Sequence, residues 1–384
     1  MRDSAFRALL SGRFFVKLYQ SLIRPILFKM PTETAHELGI NALKLGLGNE
    51  FLQKRFAGKY ACDEFGELER FNLKFKNPFG VAAGFDKNAV VASQLCALGF
   101  GFVEVGTVTF EPQKGNPKPR LFRLPEDKAL INRAGFNNEG TPAVVERLKN
   151  RRPDCVLGVN IGKNKDVANE AATENYLSSF DLAHAVADYI AVNVSSPNTP
   201  NLRELQKAET LEELLGALQT RNAELNQLNK KNLPLLVKIA PDLSEAEIES
   251  VTDVCLRLNL DGIIATNTTV SRNNLRACAA EIERIGNGGL SGKPLNARST
   301  EVISKIHRYS KGKLPVVGVG GIFTPQDAFE KIAAGACLIQ AYTGFVYQGL
   351  AFARDINFGL AKILREKGFK SLDEAIGTRA NLRQ

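Results

Sequence analysis

The chain has no C-x-x-C pair. Its six cysteines, at positions 62, 96, 155, 255, 278 and 337, follow no regular spacing, and its three histidines (36, 184 and 307) lie far apart. A disulfide framework and a zinc site are thereby excluded as organising features; six reduced thiols and no metal are expected. Long uncharged apolar runs are also missing. Residues 13–29 are the most apolar part of the N-terminus, but Arg13, Lys17 and Arg24 interrupt them, so they fall short of the roughly 20 apolar residues a spanning helix needs. No small-residue cleavage pattern marks a secretory signal, although an acid-poor, basic start is also what an organelle transit segment shows. Acid is scarce there: residues 1–30 hold six Lys/Arg against Asp3 alone. The net charge of +9 invites a nucleic-acid partner, yet no helix-turn-helix, zinc finger or aromatic RNA-binding signature accompanies it, and none is expected.

What the N-terminus does have is helical spacing. Phe15, Leu18, Tyr19, Leu22 and Ile23 fall on one face, and after Pro31 the run Thr34-Ala35-His36-Glu37 reads as a capping box that opens a second helix with Ala35, Leu38, Ala42 and Leu45 in register. Two short helices, basic and apolar, fit a segment lying in a membrane interface, where each basic group adds roughly 1 kcal/mol of attraction to an anionic surface; the alternative is simple packing on the domain behind them. The expected division is residues 1–50 as a helical membrane-associating segment and residues 51–384 as the main domain.

From residue 79 a rhythm sets in. Apolar runs recur at 79–83, 101–105, 156–161, 189–194, 235–239, 262–266, 316–319 and 338–341. Amphipathic stretches such as 211–228, 245–258, 300–309 and 325–334 follow several of them. Repeated β-then-α units on this scale predict an α/β fold, a TIM (β/α)8 barrel, rather than an open sheet. The long interval over residues 110–155 predicts an insertion above the barrel mouth, where substrate loops belong.

In such a barrel the C-terminal strand ends meet at one face, and here they are polar. The stretch 188–203 is the clearest. A strand through Tyr189–Val194 runs into Pro197 and Pro200, which remove backbone donors, and the loop presents Asn193, Ser195, Ser196, Asn198 and Thr199. Taken alone, such a loop can also be a turn whose side chains cap their own backbone. Lys238 stands mid-strand in Val-Lys-Ile-Ala-Pro-Asp; it either snorkels to solvent or meets an anionic or electron-rich ligand. Gly320-Gly321 and Tyr342-Thr343 follow the seventh and eighth strands, the usual phosphate site of a barrel. A deep lysine beside a phosphate cradle points to a phosphorylated cofactor with a conjugated ring, FMN. Asn132, Asn193, Asn198 and Asn267 each donate and accept, which suits a small planar amide-rich substrate, and Lys87 could meet a carboxylate. None of these motifs holds a histidine or cysteine to act as base, which leaves a serine.

The motifs Ala-Ala-Gly-Phe-Asp-Lys (82–87), Gly-Asn-Pro-Lys-Pro-Arg-Leu-Phe-Arg (115–123), Ile-Asn-Arg-Ala-Gly-Phe-Asn (131–137), Asn-Ile-Gly-Lys-Asn-Lys (160–165), Asn-Val-Ser-Ser-Pro-Asn-Thr (193–199), Thr-Asn-Thr-Thr (266–269), Gly-Gly-Leu-Ser-Gly-Lys-Pro-Leu (288–295) and Gly-Val-Gly-Gly-Ile (318–322) resemble, in this order, class 2 dihydroorotate dehydrogenases. The resemblance runs from about residue 15 to nearly the C-terminus. It implies an FMN-dependent enzyme of pyrimidine (UMP) biosynthesis that oxidises (S)-dihydroorotate to orotate and passes electrons to a membrane quinone. Ser196 would be the base that removes the C5 proton, with Thr199 and a water relaying it and with Phe136 walling the site; hydride would pass from C6 to flavin N5. Lys87, Asn132, Arg133, Ala134, Gly135, Phe136, Asn193, Asn198, Asn267 and Thr268 would bind the substrate. Ala83, Gly84, Thr107, Asn160, Asn193, Lys238, Thr266, Gly292, Gly321, Tyr342 and Thr343 would bind FMN.

The resemblance also implies that His36 and Arg123 line a quinone tunnel, the alternative for His36 being an exposed residue at a helix start. Ala134 departs from the methionine that bacterial members often carry, and the first ten or so residues have no clear counterpart. The expected location is peripheral to a membrane, on the cytoplasmic face of a bacterial inner membrane, with the mitochondrial inner membrane as the alternative. Rival readings are a soluble relative that uses fumarate or NAD, a phosphate-binding barrel without flavin, and a membrane-surface scaffold. Cysteine at position 196 and no basic N-terminal pair would mark the first of these; a colourless protein would mark the second.

Overall fold

The structure, a computed structural model, describes residues 18–380. In chain order its strands are β1 (Leu68–Arg70), β2 (Leu73–Phe75), β3 (Phe79–Val81), β4 (Phe102–Val108), β5 (Leu121–Leu124), β6 (Ala129–Asn132) and β7 (Val156–Ile161). There follow β8 (Tyr189–Asn193), β9 (Leu235–Ile239), β10 (Gly262–Ala265), β11 (Gly289–Gly292), β12 (Val316–Val319) and β13 (Ala336–Ala341). Eight of them close a barrel in the order β10-β12-β13-β3-β4-β7-β8-β9, with every neighbour pair parallel. This is the TIM barrel the rhythm predicts, and each of the eight apolar runs supplies one of its strands.

All residues of these strands are buried. A parallel sheet is covered on both faces, so its strands read as unbroken apolar runs instead of alternating ones. Leu235, Leu236, Val237 and Ile239 are fully buried, and each such side chain contributes about 1.5–3 kcal/mol. Helices Ala208–Asn229, Glu245–Arg257, Asn296–Tyr309 and Pro325–Ala333 cover the outside. Two of them open on complete capping boxes, Ser244 with Glu247 and Thr324 with Asp327.

The predicted insertion is a three-stranded antiparallel sheet, β11-β6-β5. Its third strand comes from the distant connection between β10 and β12, which the interval 110–155 does not reveal. Pleating splits β6 into two faces: Ala129 and Ile131 join a small core with Leu124, Ile285 and Leu290, while Leu130 and Asn132 face the cavity below.

Ahead of the barrel, a π-helical turn (Tyr19–Ile23) leads into α1 (Arg24–Lys29), α2 (Thr32–Gly46) and α3 (Glu50–Tyr60). Of the expected N-terminal face, Phe15 lies outside the described residues, as do Arg13 and Lys17. The chain is tied back to the barrel by Tyr19 Oη, which donates to Val346 O at 2.6 Å, and by Arg24 Nη1, which donates to Tyr347 O at 3.3 Å. The Thr34–Glu37 capping box does not form. Met30 is extended, as a residue before proline prefers; Pro31 caps α2 at Thr32, one turn portion early, with no side-chain cap. The expected apolar stripe also divides. Ala35 is buried together with Leu43 and Leu47, whereas Leu38 and Leu45 are 48% and 82% exposed. Leu22, Ile26 and Phe51 are likewise exposed, so the π-helical turn and the three helices after it carry a concentration of uncovered apolar side chains. No helix among the described residues is long and apolar enough to cross a membrane.

Candidate active site

A cavity of about 550 Å³ runs from the barrel mouth to α2. Its floor is Lys238 with Ala83, Gly84 and Thr266; one end is Gly292, Gly320, Gly321, Tyr342 and Thr343; the other end reaches His36 and Glu33. A smaller pocket of about 80 Å³ opens beside it and shares Ala83, Gly84, Lys87, Asn132, Ala134, Lys238, Asn267 and Thr268 with it. Gly135, Phe136, Asn193, Ser196, Asn198 and Thr107 complete the smaller pocket.

The amides lock one another in place. Asn193 Nδ2 donates to Thr107 Oγ1 at 2.8 Å and to Asn160 Oδ1 at 3.3 Å, while Asn267 Nδ2 donates to Asn193 Oδ1 at 3.2 Å and Ser195 Oγ at 2.9 Å. Asn198 Nδ2 reaches across to Asn132 O at 3.1 Å, joining the loop after β8 to the insertion sheet. Asn160 lines neither cavity; it works from beneath, accepting from Thr107 Oγ1 and Asn193. Ser196 is buried, and its Oγ accepts from Asn198 N at 3.2 Å. The nearby Thr199 Oγ1 is buried with no hydrogen-bond partner among the described residues.

Charge in the site is sparse and placed. Lys87 Nζ donates to Asn137 Oδ1. Burial, aided by the Arg120 guanidinium and opposed by Glu33, pulls Lys87 down to about 8. Lys238 Nζ lies 3.4 Å from Glu104 Oε1. Glu104, beneath the two cavities, is a supporting residue that the sequence motifs do not point to. Its carboxylate also accepts from Asn160 Nδ2 at 2.9 Å, Tyr189 Oη at 3.0 Å and Gln340 Nε2 at 2.8 Å. An acid in the middle of an otherwise apolar β4 was the available signal, the counterpart of the lysine in β9. His36 packs edge-on against Phe85, ring centroids 5.3 Å apart, and burial, with Lys87 second, draws it down to about 4, so it is neutral at physiological pH.

At the phosphate-like end, Gly321 has φ +71°, and a Cβ there would lie 2.5 Å from Asn296 Cβ. The loop is thus pressed onto the start of the helix Asn296–Tyr309, in a turn that glycine adopts most readily. The short helix Thr343–Gln348 starts at Tyr342 with no side-chain cap, so its first N–H groups are open to an anion. Bare glycines, an uncapped helix start and a buried lysine on the floor form a donor set that could hold a phosphorylated, conjugated ring.

Besides Asn160, two more expected site residues lie outside both cavities. Arg133 turns away from both cavities: its guanidinium donates to Ile285 O and, at 3.2 Å, to Pro119 O, and it lies 4.6 Å over the Phe122 ring. Asn132 faces inward on the pleat and its neighbour must face outward. Arg123 lies over Phe28 at 4.7 Å and donates to Met30 O at 2.8 Å, which places it at the seam between α1 and the insertion sheet, outside the two cavities described. Among the described residues no group of three or more His, Cys, Asp or Glu converges as a metal site would require.

Comparison with known proteins agrees with this geometry. A model of the dihydroorotate dehydrogenase family matches residues 67–364. The chain belongs to that family. It is 50% identical over 355 residues to the dihydroorotate dehydrogenase (quinone) of Christiangramia forsetii, covering 91% of this chain and 100% of the relative. With the protein of the same name from a Roseiflexus species it shares 48% identity over 359 residues, 93% of this chain and 97% of the relative. Among solved structures, DHODH of Eimeria tenella in complex with ferulenol superposes with a TM-score of 0.81 at 37% identity, covering 91% of this chain and 96% of that one.

Proposed function

We propose that this dehydrogenase-family chain oxidises (S)-dihydroorotate to orotate in de novo pyrimidine biosynthesis, using FMN and a membrane quinone as electron acceptors in turn. The observation that carries the reading is the small pocket itself. Lys87, four asparagines, Thr268 and Ser196 converge on a space of about 80 Å³ that opens into the larger cavity. The Lys87 ammonium pairs with the substrate carboxylate, and Asn132, Asn193, Asn198 and Asn267 read the ring's carbonyl and N–H edges. Phe136 closes one wall.

Ser196 Oγ takes the proton from C5. A serine hydroxyl is a poor base at its ordinary pKa, so its own proton must leave, and the unpartnered Thr199 Oγ1 offers the first acceptor on the way out through water. The larger cavity fits FMN: Gly292, Gly321, Tyr342 and Thr343 would hold the phosphate, and Ala83, Gly84, Thr266 and Lys238 the ring system, with Thr107 and Asn193 bordering the ring from the smaller pocket and Asn160 bracing those two from beneath. When bound, FMN supplies the acceptor for the C6 hydride and the route for two electrons to the quinone. Lys238 supplies the fixed positive charge that favours electron density arriving above it.

His36 at the far end of the cavity, with Arg123 at the adjoining seam, would receive the quinone head. The exposed Leu22, Ile26, Leu38, Leu45 and Phe51 would rest in the lipid surface from which that quinone is drawn. The segment up to residue 50 is thus the access module, and the location is peripheral to a bacterial inner membrane on its cytoplasmic face.

The test is an anaerobic visible spectrum of the purified protein. Flavin bands that bleach with dihydroorotate and return with a short-chain quinone support the whole reading. Bleaching without return removes the quinone, and bound flavin that never bleaches removes dihydroorotate.

A further inference from the structure

Arg203 lines neither cavity, yet its guanidinium ties together the loops that follow three successive barrel strands. Nε donates to Ser195 O at 3.0 Å in the loop after β8. Nη2 donates to Thr268 O at 3.0 Å in the loop after β10, and Nη1 pairs with Asp242 Oδ2 at 2.9 Å in the loop after β9. Asp242 is itself held, accepting from Thr269 Oγ1 and from Val270 N at 3.2 Å. The planar fork of arginine holds three acceptors at fixed angles, which the rotating ammonium of lysine does not.

The two carbonyls it grips belong to the residue just before Ser196 and the residue just after Asn267. Pro197 and Pro200 deprive the first of these loops of ladder donors, so side-chain bonds must fix it. We propose that Arg203, locked by Asp242, is a positioning residue for proton abstraction: it sets the Ser196 hydroxyl at one spacing from the Asn267–Thr268 edge that holds the substrate ring. This rests on the reading of the small pocket as the dihydroorotate site. The clamp touches none of the side chains assigned to the flavin phosphate or the quinone, so its influence is confined to one half-reaction. Misplacement of a reacting group by about 1 Å costs on the order of 10²-fold in rate.

The experiment uses flavin-loaded wild type, R203Q, R203K and D242N in anaerobic stopped flow. Flavin reduction by dihydroorotate is measured first; reoxidation by a quinone analogue of enzyme reduced with dithionite is measured second; orotate affinity and flavin content are measured alongside. The expected result for R203Q is reduction slowed on the order of 10²-fold, with reoxidation within about twofold and orotate affinity within about threefold of wild type. R203K should recover part of the loss, and D242N should show the same split at smaller size. If R203Q does not fold, D242N and R203K carry the comparison unchanged. Reduction at the wild-type rate in the variants overturns the clamp. So does a parallel loss of reduction, reoxidation and flavin content, which would mark Arg203 as a general scaffold residue. A wild type that dihydroorotate does not reduce would instead overturn the substrate reading beneath it, and the two failures are distinct.

Discussion

Lys238 Nζ stands 3.4 Å from Glu104 Oε1 across the inside of the barrel, the lysine side chain 5% exposed and the glutamate 0%. Asn160, Tyr189 and Gln340 donate to the same carboxylate, so its charge is met from four strands at once. Removing one partner of a buried pair leaves the other uncompensated, at a cost of about 3–5 kcal/mol. K238M should therefore destabilise the flavin-free protein by about that amount in urea unfolding. E104Q keeps the shape and part of the hydrogen bonding while it removes the counter-charge. The double variant K238M/E104Q should lose clearly less than the two single losses added. Additive losses would show that the pair is not coupled.

Ser196 lines only the smaller pocket and not the larger cavity, so the proposed function has it act on substrate without holding the flavin. S196A should bind flavin as wild type does and keep orotate affinity within about threefold. Reduction by dihydroorotate should fall by about 10² to 10⁴, the usual range for loss of a general base. Stopped-flow bleaching of the flavin band reads this directly, and a loss below tenfold would move the proton transfer to another group.

The barrel was legible because strands buried on both faces leave continuous apolar runs, and a candidate site was legible because polar residues stand where those runs end. Three features were not, each for a spatial reason. Glu104 gathers partners from positions 160, 189, 238 and 340, which only closure of the barrel brings together. β11 joins the insertion sheet from far along the chain. Arg133 sits beside Asn132 in the motif but on the opposite side of the pleat, a distinction that depends on which face the sheet turns to the cavity. The missing capping box is a local failure: Pro31 starts α2 before Thr34 is reached.

Gly321 gives a sharp test of the phosphate end. Its φ of +71° disfavours any other residue, and a Cβ would meet Asn296 Cβ at 2.5 Å, Cα at 2.6 Å and N at 2.7 Å. These are helix-start atoms that cannot swing aside. G321A should push the loop toward the cavity, cost about 1–3 kcal/mol of stability, and yield protein that loses flavin on gel filtration. Retention of flavin at wild-type stoichiometry would place the phosphate elsewhere.

Lys87 makes binding and stability respond to pH in opposite directions. Its pKa in the ligand-free protein is drawn down to about 8 from the ordinary 10.5, by burial first and the Arg120 charge second. Only the ammonium form pairs with a carboxylate, so orotate affinity should hold steady below about pH 7 and fall as pH rises through about 8, by up to tenfold per unit. Between the lowered value and the ordinary one, the unfolded chain holds more of this proton than the folded chain does. By linkage, Lys87 then makes the ligand-free protein gain stability as pH rises across that window. K87M should bind orotate weakly with no such pH dependence and should lose the alkaline gain in stability. Isothermal titration of orotate and urea midpoints, both from pH 7 to 9, read the two trends, and affinity that is equally pH-dependent in K87M would remove Lys87 from the carboxylate.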